Sequence, residues 1–282
     1  MKPITSSPSK CQPELKWFPA ENPSQRSGVA LVVHGLNLRP NRMKGIIGLL
    51  NTLGIDAALL SLTGHGDAYL TEGIPLKVTR LESFKKVTYP MWQQEIVKAY
   101  QAVRTAAGDS LPLFLVGYSL GGLLSCDLMI SRPDIKIDKM VLLAPALIPR
   151  GLKLSFFKLL SPFSRTIIPS RSPASYRANR GTPLAAYQSL FQAVDHFHKN
   201  LNSKLNIPTL IFMDKWDELV SYKKTKSFIV DKNLTQWQLQ VIKNNKNSVN
   251  QGFRHLIVDS LAVGTQNWEL VEHSLTTHLK NH

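Results

Sequence analysis

With 282 residues, 43% of them hydrophobic, the chain is long enough to bury a full core and to carry one domain with an insertion. Its 34 Lys and Arg outnumber 19 Asp and Glu for a formal charge of +15, yet no apolar run reaches the roughly eighteen residues of a membrane span and no nucleic-acid module is recognisable. Only two cysteines, Cys11 and Cys126, are present, which implies no disulfide framework, and residues 1–23 are polar without the apolar stretch of a secretory leader, so a cytoplasmic protein is expected.

Taken along the chain, residues 1–14 are expected to form a mobile arm, and 15–18 can open a sheet. Short apolar runs at 30–33, 57–60, 113–116, 140–144, 209–213 and 238–242 read as strands. Helical patterns at 43–51, 90–107, 120–131, 221–230 and 268–280 alternate with them. Continuously apolar strands separated by helices predict a mostly parallel sheet covered on both faces, with a site at the carboxyl ends of its strands.

The segment Val116-Gly117-Tyr118-Ser119-Leu120-Gly121-Gly122 joins one of these strands to the next helix, so it reads as strand, sharp turn, helix with a serine at the apex. Glycines two residues either side let the backbone fold tightly enough to project Ser119 Oγ from the sheet edge. Such a serine either caps the helix or attacks a substrate. Attack at neutral pH needs a histidine to take the hydroxyl proton and a carboxylate to orient that histidine. Asp214, Asp217 and Glu218 follow the strand at 209–213, and Gly252-Phe253-Arg254-His255 places a histidine in a loop before a short apolar helix. His273, His278 and His282 fall on the polar C-terminal helix, where a solvated role is expected. His196 and His198 read as surface or lid residues, and apart from that pair no histidine has metal-site spacing with cysteines or carboxylates.

In these features the chain resembles the α/β-hydrolase superfamily, within it the lid-bearing group of monoacylglycerol lipases, carboxylesterases and serine aminopeptidase-like enzymes. The resemblance spans about residues 15 to 280 and rests also on Val32-Val33-His34-Gly35-Leu36 and Leu60-Ser61-Leu62-Thr63-Gly64-His65-Gly66-Asp67. It implies an α/β-hydrolase fold with an inserted helical lid, a core over 15–145 and 204–282, and a lid over 146–203. It implies Ser119 as nucleophile, His255 as general base and acid, and Asp217 as the orienting acid. The oxyanion hole would be the backbone N–H groups of Leu36 and Leu120, while His34 and His65 would shape the neighbouring loops. The family usually has glycine where this chain has Asp214, which leaves Asp214 a competitor for the acid's role. No cofactor is needed.

Residues 146–203 are too long for an ordinary loop. Leu152, Phe156, Leu159 and Leu160 recur there at helical spacing, a face that either packs on the core or lines an acyl-chain pocket. Eight basic residues against Asp195 alone carry about half of the chain's charge excess. Two uses of that charge stay open: peripheral contact with an anionic membrane or an acidic substrate, and an ordinary soluble basic surface.

The leading expectation is a serine hydrolase cleaving the carboxylic ester of a lipid-like or short acyl substrate, of monoacylglycerol or lysophospholipid type, through an acyl-enzyme. The alternatives keep the same three residues but act on an amide, a peptide amino terminus or a thioester, or abandon catalysis for binding on an inactive fold. Dehalogenase and epoxide hydrolase chemistry is disfavoured, because those relatives carry aspartate in place of Ser119.

Overall fold

The computed structural model describes residues 14–66, 76–108, 110–151, 164–243 and 253–280. The expected N-terminal arm falls, up to residue 13, outside the described residues, and so do Leu152, Phe156, Leu159 and Leu160. The centre is a seven-stranded sheet of β1 (Glu14–Phe18), β2 (Gly28–Val33), β3 (Ile55–Ser61), β4 (Leu113–Tyr118), β5 (Lys139–Leu143), β8 (Thr209–Met213) and β9 (Trp237–Val241). Its order is β1-β3-β2-β4-β5-β8-β9, with β1 antiparallel to β3 and every other pair parallel. This is the mostly parallel sheet expected from the sequence.

Every residue of β2 and β4 is buried, as the central strands of a doubly covered sheet require. Alternation then divides their side chains between two apolar clusters. Val29, Leu31 and Val33 face α3 (Tyr89–Ala107) and α4 (Leu120–Ser131), whereas Ala30 and Val32 face α1 (Lys44–Thr52) and α8 (Thr265–Lys280). Local signals set the helix starts. The Thr88 side chain accepts from Met91 N ahead of Pro90 in α3, and Ser221 accepts from Lys224 N at the start of α6 (Tyr222–Asp231). Asp259 does the same for Ala262 N at α7 (Ser260–Val263).

Two helices and one strand pair go beyond the sequence reading. The helix α2 (Leu76–Phe84) follows β3. Between β5 and β8, the strands β6 (Ile167–Pro169) and β7 (Gly181–Pro183) pair antiparallel and lead into α5 (Leu184–Lys199). That helix packs on α3 and α4, burying Leu190, Ala193 and Phe197. His278 departs from the solvated role expected of it. Its Nε2 donates to Met140 O (3.1 Å), and burial, with Lys139 close by, pushes its pKa down to about 4. The imidazole therefore seats α8 against β5 as a neutral donor.

A buried carboxylate ties α5 to the core. Asp127 on α4 is 1% exposed and accepts from Tyr89 Oη (2.7 Å) on α3 and from His196 Nδ1 (2.7 Å) on α5. Asp127→Ala strands the Tyr89 hydroxyl and frees His196, so it should cost about 1–3 kcal/mol. The expected reading is a lower urea midpoint at unchanged slope, and an unchanged midpoint would mean the cluster contributes nothing.

Candidate active site

Ser119 is the single residue between β4 and α4. Its φ of 51° and ψ of −112° lie where a side chain is strained, at a cost of order 1–3 kcal/mol. Three backbone bonds hold it there: Ser119 N donates to Leu143 O (2.9 Å), and Ser119 O accepts from Leu123 N (3.1 Å) and Ala146 N (3.0 Å). The flanking glycines are steric necessities. A Cβ on Gly117 would lie 2.6 Å from the backbone of Gly121 and Gly122, and one on Gly121 would fall inside the Val33 carbonyl.

The turn after β8 brings a carboxylate to His255. Asp217 Oδ1 accepts from Leu219 N and Val220 N, both at 2.8 Å, which leaves Oδ2 to accept from His255 Nδ1 at 2.8 Å. On the other side of the ring, His255 Nε2 lies 2.8 Å from Ser119 Oγ. Glu218 fixes the approach of the histidine loop, accepting from Arg254 N (3.0 Å) and His255 N (3.3 Å). Asp214 has a different place: its Oδ1 accepts from Trp216 N (2.7 Å) and lies 3.7 Å from an Arg254 nitrogen. The structure thus joins Ser119, His255 and Asp217 in one line, and the carboxylate on His255 is that of Asp217.

Burial and charge oppose each other along this line. Burial alone would raise the Asp217 pKa, but the His255 charge, its hydrogen bond and the two backbone donors outweigh it and hold the carboxyl below its usual range. Burial alone would lower His255, but the Asp217 charge and hydrogen bond, helped by Glu218, raise it above 6.5. The pair favours an imidazolium beside a carboxylate.

The two backbone groups expected to bind an oxyanion lie on adjoining segments. Leu120 N opens α4, where first-turn N–H groups have no helical acceptor. Leu36 N follows β2 in the loop Gly35–Leu38. Neither N–H has a hydrogen-bond acceptor among the described residues.

Two neutral histidines brace that loop. His34 Nε2 accepts from Leu62 N (3.0 Å), and its Nδ1 donates to Gly35 O (2.8 Å). His65 Nε2 accepts from Asn37 N at 2.8 Å. Burial drives the His34 pKa to about 4 and that of His65 well below its ordinary value, so both remain acceptors at neutral pH. Buried Glu95 anchors the other side of the brace, accepting from Thr63 N (3.0 Å) and from the Thr63 hydroxyl.

Sequence reasoning missed Asn37, Asn179 and Glu95. Asn37 has φ 55°, a conformation asparagine tolerates better than most. Its side chain pairs reciprocally with the Asn179 backbone: Nδ2 donates to Asn179 O (3.1 Å), and Oδ1 accepts from Asn179 N (2.8 Å). An asparagine just after His34-Gly35-Leu36 was a usable signal for one partner. Nothing local marks Asn179, which lies 142 positions away. Among the described residues, no group of three His, Cys, Asp or Glu is placed to hold a metal ion.

The sheet order and the line of three side chains at its carboxyl edge define an α/β-hydrolase. More particularly, the chain belongs to the Hydrolase_4 family, serine aminopeptidase S33, whose match covers residues 24–180. Solved structures agree on the fold. A metagenome-derived lipolytic enzyme of the LipS and LipT pair superposes with a TM-score of 0.70 at 20% identity, over 96% of this chain and 98% of that one. The monoglyceride lipase of Saccharomyces cerevisiae, solved with a substrate analog, gives 0.72 at 16%, over 99% and 97%. The monoacylglycerol lipase of Paleococcus ferrophilus gives 0.67 at 18%, over 95% and 99%. No curated protein matches the sequence.

The opposite environments of these histidines are directly measurable. In a nitrogen-detected NMR titration of the imidazoles, His255 should lose its proton above pH 6.5 while His34 stays neutral until about pH 4. Asp217→Asn removes the charge that raises His255 and leaves burial to lower it, so the His255 midpoint should fall. A midpoint unmoved by that substitution would contradict the coupling.

Proposed function

We propose that this protein is a serine hydrolase cleaving the carboxylic ester of a lipid-like or short acyl substrate through an acyl-enzyme. The observation that carries the reading is His255, set 2.8 Å from Ser119 Oγ on one nitrogen and 2.8 Å from Asp217 on the other. The similarity to lipases and monoacylglycerol lipases supports the choice of an ester.

In this mechanism His255 Nε2 takes the proton of Ser119 as Oγ attacks the acyl carbonyl. Asp217 holds Nδ1–H and stabilises the imidazolium that forms. The carbonyl oxygen becomes an oxyanion between Leu36 N–H and Leu120 N–H. Collapse breaks the ester bond, and His255 gives its proton to the departing alcohol. Water, deprotonated by His255, then adds to the acyl-enzyme, and expulsion of Ser119 Oγ, reprotonated by His255, frees the acid. Amide or thioester cleavage uses the same steps with another leaving group. The segment 146–203 acts as the lid, the apolar side chains of Leu152, Phe156, Leu159 and Leu160 being suited chemically to an acyl chain, and the enzyme works in the cytoplasm. Among the described residues no helix is long and apolar enough to cross a membrane.

Ser119→Ala should abolish fluorophosphonate labelling and p-nitrophenyl ester turnover, and retained labelling on the folded variant would overturn the nucleophile. Asp217→Asn should cost roughly 10³- to 10⁴-fold in kcat, and Asp214→Asn much less; the reverse ranking would move the acid. Because the base must be neutral and its pKa is raised, kcat/KM should rise with pH through a midpoint above 6.5. A panel of esters, aminoacyl amides and thioesters separates the leaving groups.

The basic insertion supports peripheral contact with anionic membranes, Arg165 and Arg171 being exposed on it. Binding to phosphatidylglycerol vesicles should exceed binding to neutral ones and fall with salt. Replacing Lys153, Lys158, Arg165 and Arg171 with glutamine should erase the difference. Equal binding to both vesicles would leave an ordinary basic surface.

A further inference from the structure

His255 is bonded through both ring nitrogens, at 2.8 Å to Asp217 and at 2.8 Å to Ser119. Those two bonds do not by themselves fix the ring. A ring held at one nitrogen can pivot about that contact, and Nε2 then swings away from Ser119 Oγ unless the main chain carrying the ring is held as well. Proton exchange needs that placement to about half an ångström. The loop does little to hold itself, since its bond from Leu256 N to Phe253 O is long, at 3.4 Å.

The residue after Asp217 meets this need. Glu218 Oε2 accepts from Arg254 N (3.0 Å) and Glu218 Oε1 from His255 N (3.3 Å), one oxygen for each of two consecutive N–H groups. These partners lie 36 and 37 positions away, so no local chain geometry dictates the contact. Asp217 and Glu218 thus hold one residue at two levels, its ring and its main chain. Asp217 also folds the turn that carries Glu218, through its bonds from Leu219 N and Val220 N. The residue type matters too. Two N–H donors side by side need two acceptor atoms, and a carboxylate offers both. In glutamine one of those atoms is an NH2 group, which would set a donor against a donor, and aspartate is one methylene too short.

We infer that Glu218 is a positioning residue for hydrolysis, gripping the main chain of Arg254 and His255 so that Nε2 stays on Ser119 Oγ while Nδ1 stays on Asp217. The inference rests on the hydrolytic reading and deepens it at that same site. Glu218 also adds negative charge near the imidazole. The groups facing His255 are Asp217 and Glu218 from the turn after β8, Ser119, and the buried neutral phenol of Tyr118, whose ring centroid lies 5.3 Å away. Arg254 stands beside it in its own loop, with a nitrogen 3.7 Å from Asp214.

The test compares Glu218→Gln and Glu218→Ala with the parent in the full chain, reading p-nitrophenyl butyrate turnover, the NMR titration of the imidazoles and the thermal midpoint. Alanine should lower kcat roughly 10- to 100-fold with little change in KM, because a displacement of about an ångström can cost that much. Glutamine keeps one acceptor and should lose less; being nearly the same shape, it decides the matter should alanine fail to fold. Both variants lack the charge that helps to raise His255, so the His255 midpoint should fall in each. A merely structural role would lower the thermal midpoint and move neither kcat nor the His255 titration. In a folded variant, kcat or that titration left at the parent's value overturns the inference while fluorophosphonate labelling of the parent still upholds the hydrolytic reading. A parent that the fluorophosphonate does not label overturns both.

Discussion

The contact on which this structure depends is the approach of the first turn of α4 to the end of β2. Gly121 sits so close to the Val33 and His34 carbonyls that no side chain fits between them. That approach forces the chain to reverse within one residue after β4, which puts Ser119 at a positive φ and aims its hydroxyl away from the sheet. It also places the open N–H of Leu120 beside the loop that carries Leu36. The strained serine and the two open N–H groups are thus consequences of one backbone contact. Any side chain at 121 would separate them together.

A second constraint fixes the loop after β2 from the outside. Asn37 has all its polar groups engaged: N to His65, O from Ala178 N, and its amide to the Asn179 backbone. Arg39 N and Nε extend the pairing to Tyr176 O and Arg177 O, Arg42 stacks over the Tyr176 ring at 4.5 Å, and Tyr176 reaches Asp259 near the histidine loop. The segment 175–180 therefore behaves as part of the wall of the site. Asp127 fixes α5, farther along the same insertion, to the core. Motion of the segment 175–180 relative to the strand ends must carry the Leu36 loop along.

What was legible in the sequence had short-range causes. A parallel strand buried on both faces must be continuously apolar, so β2, β4, β5 and β8 announced themselves, and the Gly-x-Ser-x-Gly turn is legible because sterics allow nothing else. Ser119, Asp217 and His255 were singled out by their order and their strand-end settings, and the structure places them in one hydrogen-bonded line. What escaped depended on partners distant in sequence. Asn179 owes its place to Asn37, Glu95 to Thr63, and His278 to a carbonyl of β5. The α5 helix was hidden by the expectation of a lid, although its buried face is apolar at helical spacing. Asp214 stayed a competitor to Asp217 because both lie in one turn with similar local context. Only the direction of each side chain separates them.

Three buried histidines at this edge carry different protonation tendencies, and their partners explain why. His34 and His65 accept from backbone N–H groups through one ring nitrogen and donate to a carbonyl through the other, so burial faces no compensating negative charge and keeps them neutral. His255 is equally enclosed but has Asp217 on one nitrogen and Glu218 near its backbone, and the balance reverses. A protonated His65 would lose its bond to Asn37 N and release the loop beyond Leu36. A His255 without Asp217 would lose both orientation and basicity. The difference rests on where the carboxylates lie: one is bonded to the histidine whose charged form is favoured, and none is bonded to the two that stay neutral.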